Sequence, residues 1–181
     1  VEGTLALSIG NEKRSLSSVR MHGVVVLDMI AHNRDSDKYV FQISPGEGRE
    51  AMDLAEQAHL ATLAWNQLSR ERNRQPERQG KRSVRSNDPA VIPATAPFPA
   101  MDGEIRPEYD PRSSLFNTDG QIFSDVGIPV ILLMENYDIN RQGYHDTHDT
   151  MENIDLDYGA ALAAIAIETV ARLATRPLPP R

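Results

Sequence analysis

Residues 23–31 read Gly-Val-Val-Val-Leu-Asp-Met-Ile-Ala and form a short apolar run that contains a single acid. The β-branched side chains of this run favour a strand, and the continuous apolar character indicates burial on both faces. A lone carboxylate in such surroundings is costly unless it meets a cation, a hydrogen-bond donor or a metal. Asp28 is therefore either a structural acceptor at the end of a strand or a ligand, and its position in the run leaves both open.

Two other segments predict strands of the same kind. Residues 38–44 and 128–134 are rich in β-branched and apolar side chains, and a Pro lies near the start of the second. Between these segments, residues 47–67 carry apolar side chains near helical spacing and predict a helix. A short helix is predicted over residues 118–124.

Residues 157–174 give the clearest helical pattern, because they are dense in Ala and Leu and are followed by Arg-Pro. Either Asp155 or Asp157 is suited to cap this helix. Strands that alternate with helices predict an α/β layered domain with a mainly parallel sheet.

The length and composition of the chain exclude several classes of protein. A chain of 181 residues with 40% hydrophobic content suits one domain spanning residues 1–181. The net charge of -7 argues against a nucleic-acid partner, and the absence of Cys excludes disulfides and thiolate metal sites. We also expect no membrane span from the lengths of the apolar runs. Residues 70–111, first basic and then rich in Pro, predict a long loop region with extended pieces.

Residues 143–150 read Gly-Tyr-His-Asp-Thr-His-Asp-Thr and concentrate reactive groups in eight positions. Imidazoles and carboxylates can bind a metal or move a proton, and a phenol can stabilise an oxyanion. The spacing of the two His residues is not that of the His-Glu-x-x-His metalloprotease helix. Taken alone, a loop of this composition is more often ordinary turn chemistry.

The order of the predicted elements brings these groups to one edge of the sheet. Asp28 lies near the end of the first predicted strand, residues 135–138 follow the third, and residues 144–150 come a short loop later. Because ligands in open α/β sheets collect at the carboxyl ends of the strands, we expect these side chains to converge there.

Three segments, in this order, resemble motifs of the M28 family of zinc aminopeptidases. Residues 26–31 resemble the family's Asn-Leu-Asp-Met-Ile-Gly strand. Residues 118–130 resemble its Ser-Asp-His-x-x-Phe and Gly-Ile-Pro-Ala segment. Residues 144–155 resemble the Tyr-His-Thr-x-x-Asp-Thr motif and the Ile-Asp pair that follows it. The resemblance runs from about residue 23 to the end of the last helix.

The resemblance implies a role for individual residues. Family members carry two zinc ions, bridged by an Asp and a hydroxide, on a mixed sheet flanked by helices. Asp28 matches a terminal ligand of one zinc and His145 a terminal ligand of the other. Tyr144 matches a residue that, in several members, donates a hydrogen bond to the tetrahedral intermediate. We expect the remaining matched positions to support these groups without binding the metal themselves. These positions are Asp119, Asp149 and Thr150.

The chain also departs from the family pattern. The earlier His-x-Asp motif, the bridging Asp and the Glu-Glu pair are not found upstream of Asp28, Gly120 stands where the family has His, and Asp146 stands for a Thr. We therefore expect the C-terminal portion of the catalytic domain, incomplete at the N-terminus. Since catalytic zinc takes three protein ligands and a water, we also expect the metal to be absent from this chain or weakly bound.

The activity implied by the resemblance is that of a metallo-aminopeptidase, which removes N-terminal residues from peptides through a zinc-activated water. One alternative is a single-zinc enzyme like the glutaminyl-peptide cyclases, in which Asp28 contacts the substrate and not the metal. Another is a catalytically inactive domain used for protein binding. Because many bacterial relatives are exported, the resemblance suggests a secreted or periplasmic protein.

Overall fold

The computed structural model describes residues 6–9, 12–15, 21–34, 37–74, 98–136 and 143–176. Within these residues the strands are β1 (Ala6–Ile9), β2 (Glu12–Ser15), β3 (Val24–Asp28), β4 (Val40–Pro45), β5 (Asp102–Ile105) and β6 (Val130–Glu135). The helices in the same residues are α1 (Arg49–Asn73), α2 (Gly120–Asp125) and α3 (Leu156–Thr175), with 3₁₀ turns at Leu115–Asn117 and Met151–Asn153.

The main sheet has the spatial order β3-β6-β4-β5. Strand β3 runs parallel to β6, and β4 runs parallel to β5, whereas β4 and β6 are antiparallel. The prediction of a mixed, mainly parallel sheet flanked by helices is thus confirmed. Strands β1 and β2, which the sequence analysis did not predict, pair with each other as a separate antiparallel ladder.

The strands predicted over residues 23–31, 38–44 and 128–134 correspond to β3, β4 and β6. Helix α1 continues six residues past the predicted end at residue 67, to Asn73. Apolar periodicity stops at that point, but polar contacts hold the last turns. The Ser69 hydroxyl and the Asn73 amide both donate to the Phe98 carbonyl oxygen, at 2.6 Å and 3.0 Å.

The predicted loop region 70–111 is only partly within the described residues, since residues 75–97 lie outside them. After this gap the chain runs back along α1. The Asn66 side chain forms a pair of 2.7 Å hydrogen bonds with the backbone N–H and carbonyl of Met101, and the Trp65 indole donates to Pro99. The chain then enters β5, an extended piece within the predicted loop region.

Helices cover both faces of the main sheet. Helices α1 and α3 pack together on one face, over Phe41, Ile43 and Leu133. On the other face, α2 and the Leu115–Asn117 turn cover a smaller cluster that includes Leu132 and Met134. The capping prediction for α3 is confirmed for Asp155, whose carboxylate accepts from the Tyr158 N–H.

Among the described residues, α3 is the one helix with the length and apolar composition of a membrane span. A single such helix is weak support for a membrane segment, because buried helices of globular domains share both properties. The contacts of α3 with α1 and the full burial of Tyr158, Leu162 and Ile165 are those of a core helix.

Candidate active site

Asp28 is the last residue of β3 and lies at the carboxyl edge of the parallel pair β3–β6. It pairs in register with Met134, which in turn pairs with Gln42 of β4. Val24 and Val26 pack into the cluster covered by α2, so the alternation of a strand places Asp28 on the same face. The residue is half-buried, as expected for an acid at the end of an otherwise apolar strand.

The chain turns sharply directly after Asp28. Met29 has φ 45°, a left-handed conformation that costs a residue with a side chain on the order of 1 kcal/mol. Its carbonyl oxygen still accepts from the Glu135 N–H at 2.9 Å, which closes the ladder with β6. Beyond it, the backbone N–H of His32 donates to the Glu135 carboxyl oxygen Oε2 at 2.7 Å. The turn therefore carries the segment after Asp28 across the end of β6.

Tyr144 and His145 lie on the loop that leads into α3. Both Gly143, at φ 87°, and His145, at φ 55°, have left-handed backbone conformations. Tyr144 is half-buried and meets the His145 ring edge-on, with ring centroids 4.0 Å apart. The imidazole of His145 is exposed, so it is open to a metal or a substrate and is not sealed in the apolar interior.

The structure joins the backbone segments that follow the two candidate ligands. The Asp155 N–H donates to the Ala31 carbonyl oxygen at 2.8 Å, and the Arg34 guanidinium donates to the Glu152 carbonyl. Residues soon after Asp28 thus contact the end of the loop that carries His145. That Asp28 and His145 themselves face one shared cavity stays a prediction.

The remaining predicted supporting residues are exposed. Asp149 and Thr150 follow a turn in which the Asp146 carboxylate accepts from the His148 N–H at 2.6 Å and lies 3.3 Å from His148 Nδ1. Asp119 stands just before α2 and makes no capping hydrogen bond to that helix. Support of the site by Asp119, Asp149 and Thr150 stays a prediction.

The sequence profile of peptidase family M28 matches residues 8–170, most of the chain. The chain belongs to peptidase family M28. No curated protein and no solved structure matches it. Membership in M28 makes the protein a peptidase, and thus a hydrolase that acts on peptides, in a family that is generally zinc-dependent.

This M28 chain has two candidate zinc ligands within its described residues. Asp28 and His145 are donors of the types that zinc accepts. Two donors are fewer than the three that catalytic zinc takes, and within the described ranges no three His, Asp or Glu side chains come close enough to hold a metal ion. The described part of the chain does not, by itself, complete the family's zinc site.

Two buried charged residues lie behind this edge of the M28 sheet; Glu135 was among the residues expected there, whereas sequence reasoning missed Arg106. Glu135, only 1% exposed, ends β6, and Arg106, 2% exposed, follows β5. The Arg106 guanidinium donates to Asn136 at 2.6 Å and to Glu104 at 3.0 Å, so it holds the chain where it leaves β6. Nothing in the sequence singles out Arg106, because β5 itself carries too few apolar residues to be recognised.

Exposed charges surround Arg106 on its outer side. The Arg112 guanidinium donates to Glu104 and to Asp110, and the hydrogen bonds from Arg112 hold the pKa of the Asp110 carboxyl below its ordinary value. Exposed ion pairs contribute little to stability. We therefore assign the Arg112 contacts the role of orienting the chain that follows β5.

Proposed function

We propose that the protein is a metallo-aminopeptidase, which removes N-terminal residues from peptides with the help of a zinc-activated water. Membership in M28 supports the peptidase class. One structural observation carries the finer proposal. The exposed imidazole of His145 and the phenol beside it stand on a loop that is hydrogen-bonded to the segment following Asp28.

In this proposal, Asp28 and His145 each give one ligand to a different ion of a zinc pair. The other ligands and the general base come from outside the described residues. When bound, zinc lowers the pKa of a coordinated water and polarises the carbonyl of the scissile bond. The hydroxyl of the half-buried Tyr144 would donate a hydrogen bond to the carbonyl oxygen of the substrate as it gains negative charge. We assign Asp119, Asp149 and Thr150 the role of holding these groups in place.

The test is the variant His145→Ala in the complete protein, assayed with aminoacyl anilides. Loss of a metal ligand should abolish turnover while the fold, followed by circular dichroism, is retained. His148→Ala is the matched control, because His148 is an exposed imidazole three residues further along the same loop. Turnover that survives His145→Ala unchanged would contradict the proposal. Release of ammonia from N-terminal Gln peptides without hydrolysis would point instead to cyclase chemistry.

A further inference from the structure

We propose that Asn33, Asp155 and Glu135 form a latch that fixes the His145 loop, residues 143–155, against the Asp28 segment, residues 29–34. These three are positioning residues, because they act through the backbone that carries Asp28 and His145. Their value for catalysis rests on the proposed function, whereas the latch itself rests on contacts within the described residues.

Glu135 secures the point where the chain leaves β6 on its way to the His145 loop. The backbone N–H of Glu135 donates to the Met29 carbonyl, and its carboxyl oxygen Oε2 accepts from the His32 N–H at 2.7 Å. A carboxyl that is 99% buried is costly unless it is hydrogen-bonded, so its position at the end of β6 is tightly specified. The two contacts bind the end of β6 to the Asp28 segment.

Asp155 secures the last residue of the His145 loop. Its carboxyl oxygen Oδ2 accepts from the Asn33 amide at 2.8 Å, and Oδ1 accepts from the Tyr158 N–H at 3.0 Å. The backbone N–H of Asp155 donates to the Ala31 carbonyl. One residue therefore caps α3 and ties the helix start to the Asp28 segment.

Asn33 is held so that it cannot turn away from Asp155. The side chain is 7% exposed, and its carbonyl oxygen accepts from the Tyr39 N–H at 2.7 Å while its amide donates to Asp155. The first turn of α3 also lies close to the Asp28 segment. A side chain at Gly159 would place its Cβ 3.2 Å from that of Ala31. Both the hydrogen bonds and the packing thus fix one arrangement.

The end of β6 and the start of α3 are therefore held by the same six-residue segment, and that segment begins directly after Asp28. Asn33 and Glu135 are buried and Asp155 is partly buried, so a displaced group in this network loses a hydrogen bond where water is largely excluded, and one geometry is favoured. The latch sets the distance between the backbone positions of Asp28 and His145. Residues that hydrogen-bond directly to metal ligands change metal affinity by about 10–100-fold when replaced, and we expect residues that position the ligand-bearing backbone to act in the same direction.

A reciprocal exchange tests the latch. In Asp155→Asn, an amide faces the amide of Asn33, and in Asn33→Asp, a carboxylate faces that of Asp155; each single change removes the hydrogen bond. In the double variant the donor and the acceptor trade places, so the hydrogen bond can form again. Asn also caps helices as well as Asp does, which leaves the start of α3 intact. Asp157→Asn, an exposed acid in the first turn of α3, is the matched control.

The first readout is amide hydrogen exchange of His32 and Asp155 in the complete protein without added metal. We expect exchange about tenfold faster in each single variant, a return towards the original rate in the double variant, and no change in Asp157→Asn. Single variants that behave like the control overturn the latch. A double variant that stays as fast as the single variants overturns it as well, since the pair would then not act as a pair.

The second readout is zinc affinity, measured by competition with a chelator, together with kcat for an aminoacyl anilide. We expect affinity to fall by about 10–100-fold in the single variants and to recover in the double variant. If zinc affinity is unchanged while amide hydrogen exchange is faster, the latch contacts are purely structural. That result would overturn their positioning role. If the unaltered protein neither binds zinc nor cleaves peptides, the proposed function fails, and the exchange measurement still decides the latch.

Discussion

Tyr144 meets the imidazole of His145 edge-on, with 4.0 Å between the ring centroids. Neighbouring residues in an extended strand point to opposite faces, so this contact needs a special backbone. The left-handed conformation of His145, at φ 55°, provides it. The phenol and the imidazole of the family's Tyr-His motif are thereby presented together at one point of the loop.

The variant Tyr144→Phe separates the hydroxyl from the ring contact. The Phe ring retains the packing on His145, so zinc binding should be preserved. Loss of one donor to the oxyanion should lower kcat by about 10²–10³-fold with little change in KM. Steady-state kinetics on an aminoacyl anilide, with zinc content measured in parallel, checks this. An unaltered kcat would remove Tyr144 from the reaction.

Gly143→Ala should disturb the His145 loop specifically. Gly143 has φ 87°, and an added Cβ would lie 3.2 Å from the His148 carbonyl oxygen and 3.3 Å from Asn153 Nδ2. Asn153 donates to that same carbonyl, so the new methyl would press on the contact that closes the loop. We expect peptidase activity to fall several-fold or more.

Gly48→Ala is the matched control for this change. Gly48, at the start of α1, also has a positive φ, 89°, but a Cβ there meets nothing within 4 Å. Both variants should lose about 1–3 kcal/mol of unfolding free energy from the backbone strain, measured by urea denaturation. Only Gly143→Ala should lose activity; equal loss in both variants would show that strain alone, and not the loop contact, is responsible.

Tyr158→Phe should destabilise the fold without touching the candidate site. The Tyr158 side chain is fully buried between α3 and the sheet, and its hydroxyl donates to the Val40 carbonyl oxygen at 2.8 Å. Removing that donor leaves a buried carbonyl short of a partner, at a cost of about 1–3 kcal/mol in urea denaturation. Tyr109→Phe, at an 89% exposed position, should have no effect. Equal stability of the two variants would refute this assignment.

The elements that the sequence predicts are those that carry their own apolar pattern. Strands β3, β4 and β6 and helices α1 and α3 bury regular sets of side chains, so their periodicity is visible in the chain itself. Strand β5, Asp-Gly-Glu-Ile, has no such pattern and owes its extended form to its pairing with β4. Its Gly103 lets the Phe41 ring approach to a point where a Cβ would be 2.8 Å away.

The candidate ligands were accessible to sequence reasoning because each sits inside a local motif. The hydrogen bonds that join the segments carrying these ligands were not accessible to sequence reasoning. His32 and Glu135 are 103 positions apart, and Asn33 and Asp155 are 122 positions apart. No local pattern links residues at such separations, and only the parallel pairing of β3 with β6 brings their segments together.

The central claim is that Asp28 and His145 serve one metal centre, and diffraction at the zinc absorption edge tests it most directly. Crystals of the complete protein grown with zinc should show anomalous peaks about 2.0–2.2 Å from an Asp28 carboxylate oxygen and about 2.0–2.1 Å from a ring nitrogen of His145. Zinc bound where neither residue reaches it, or an active enzyme whose zinc lies apart from both, would contradict the account.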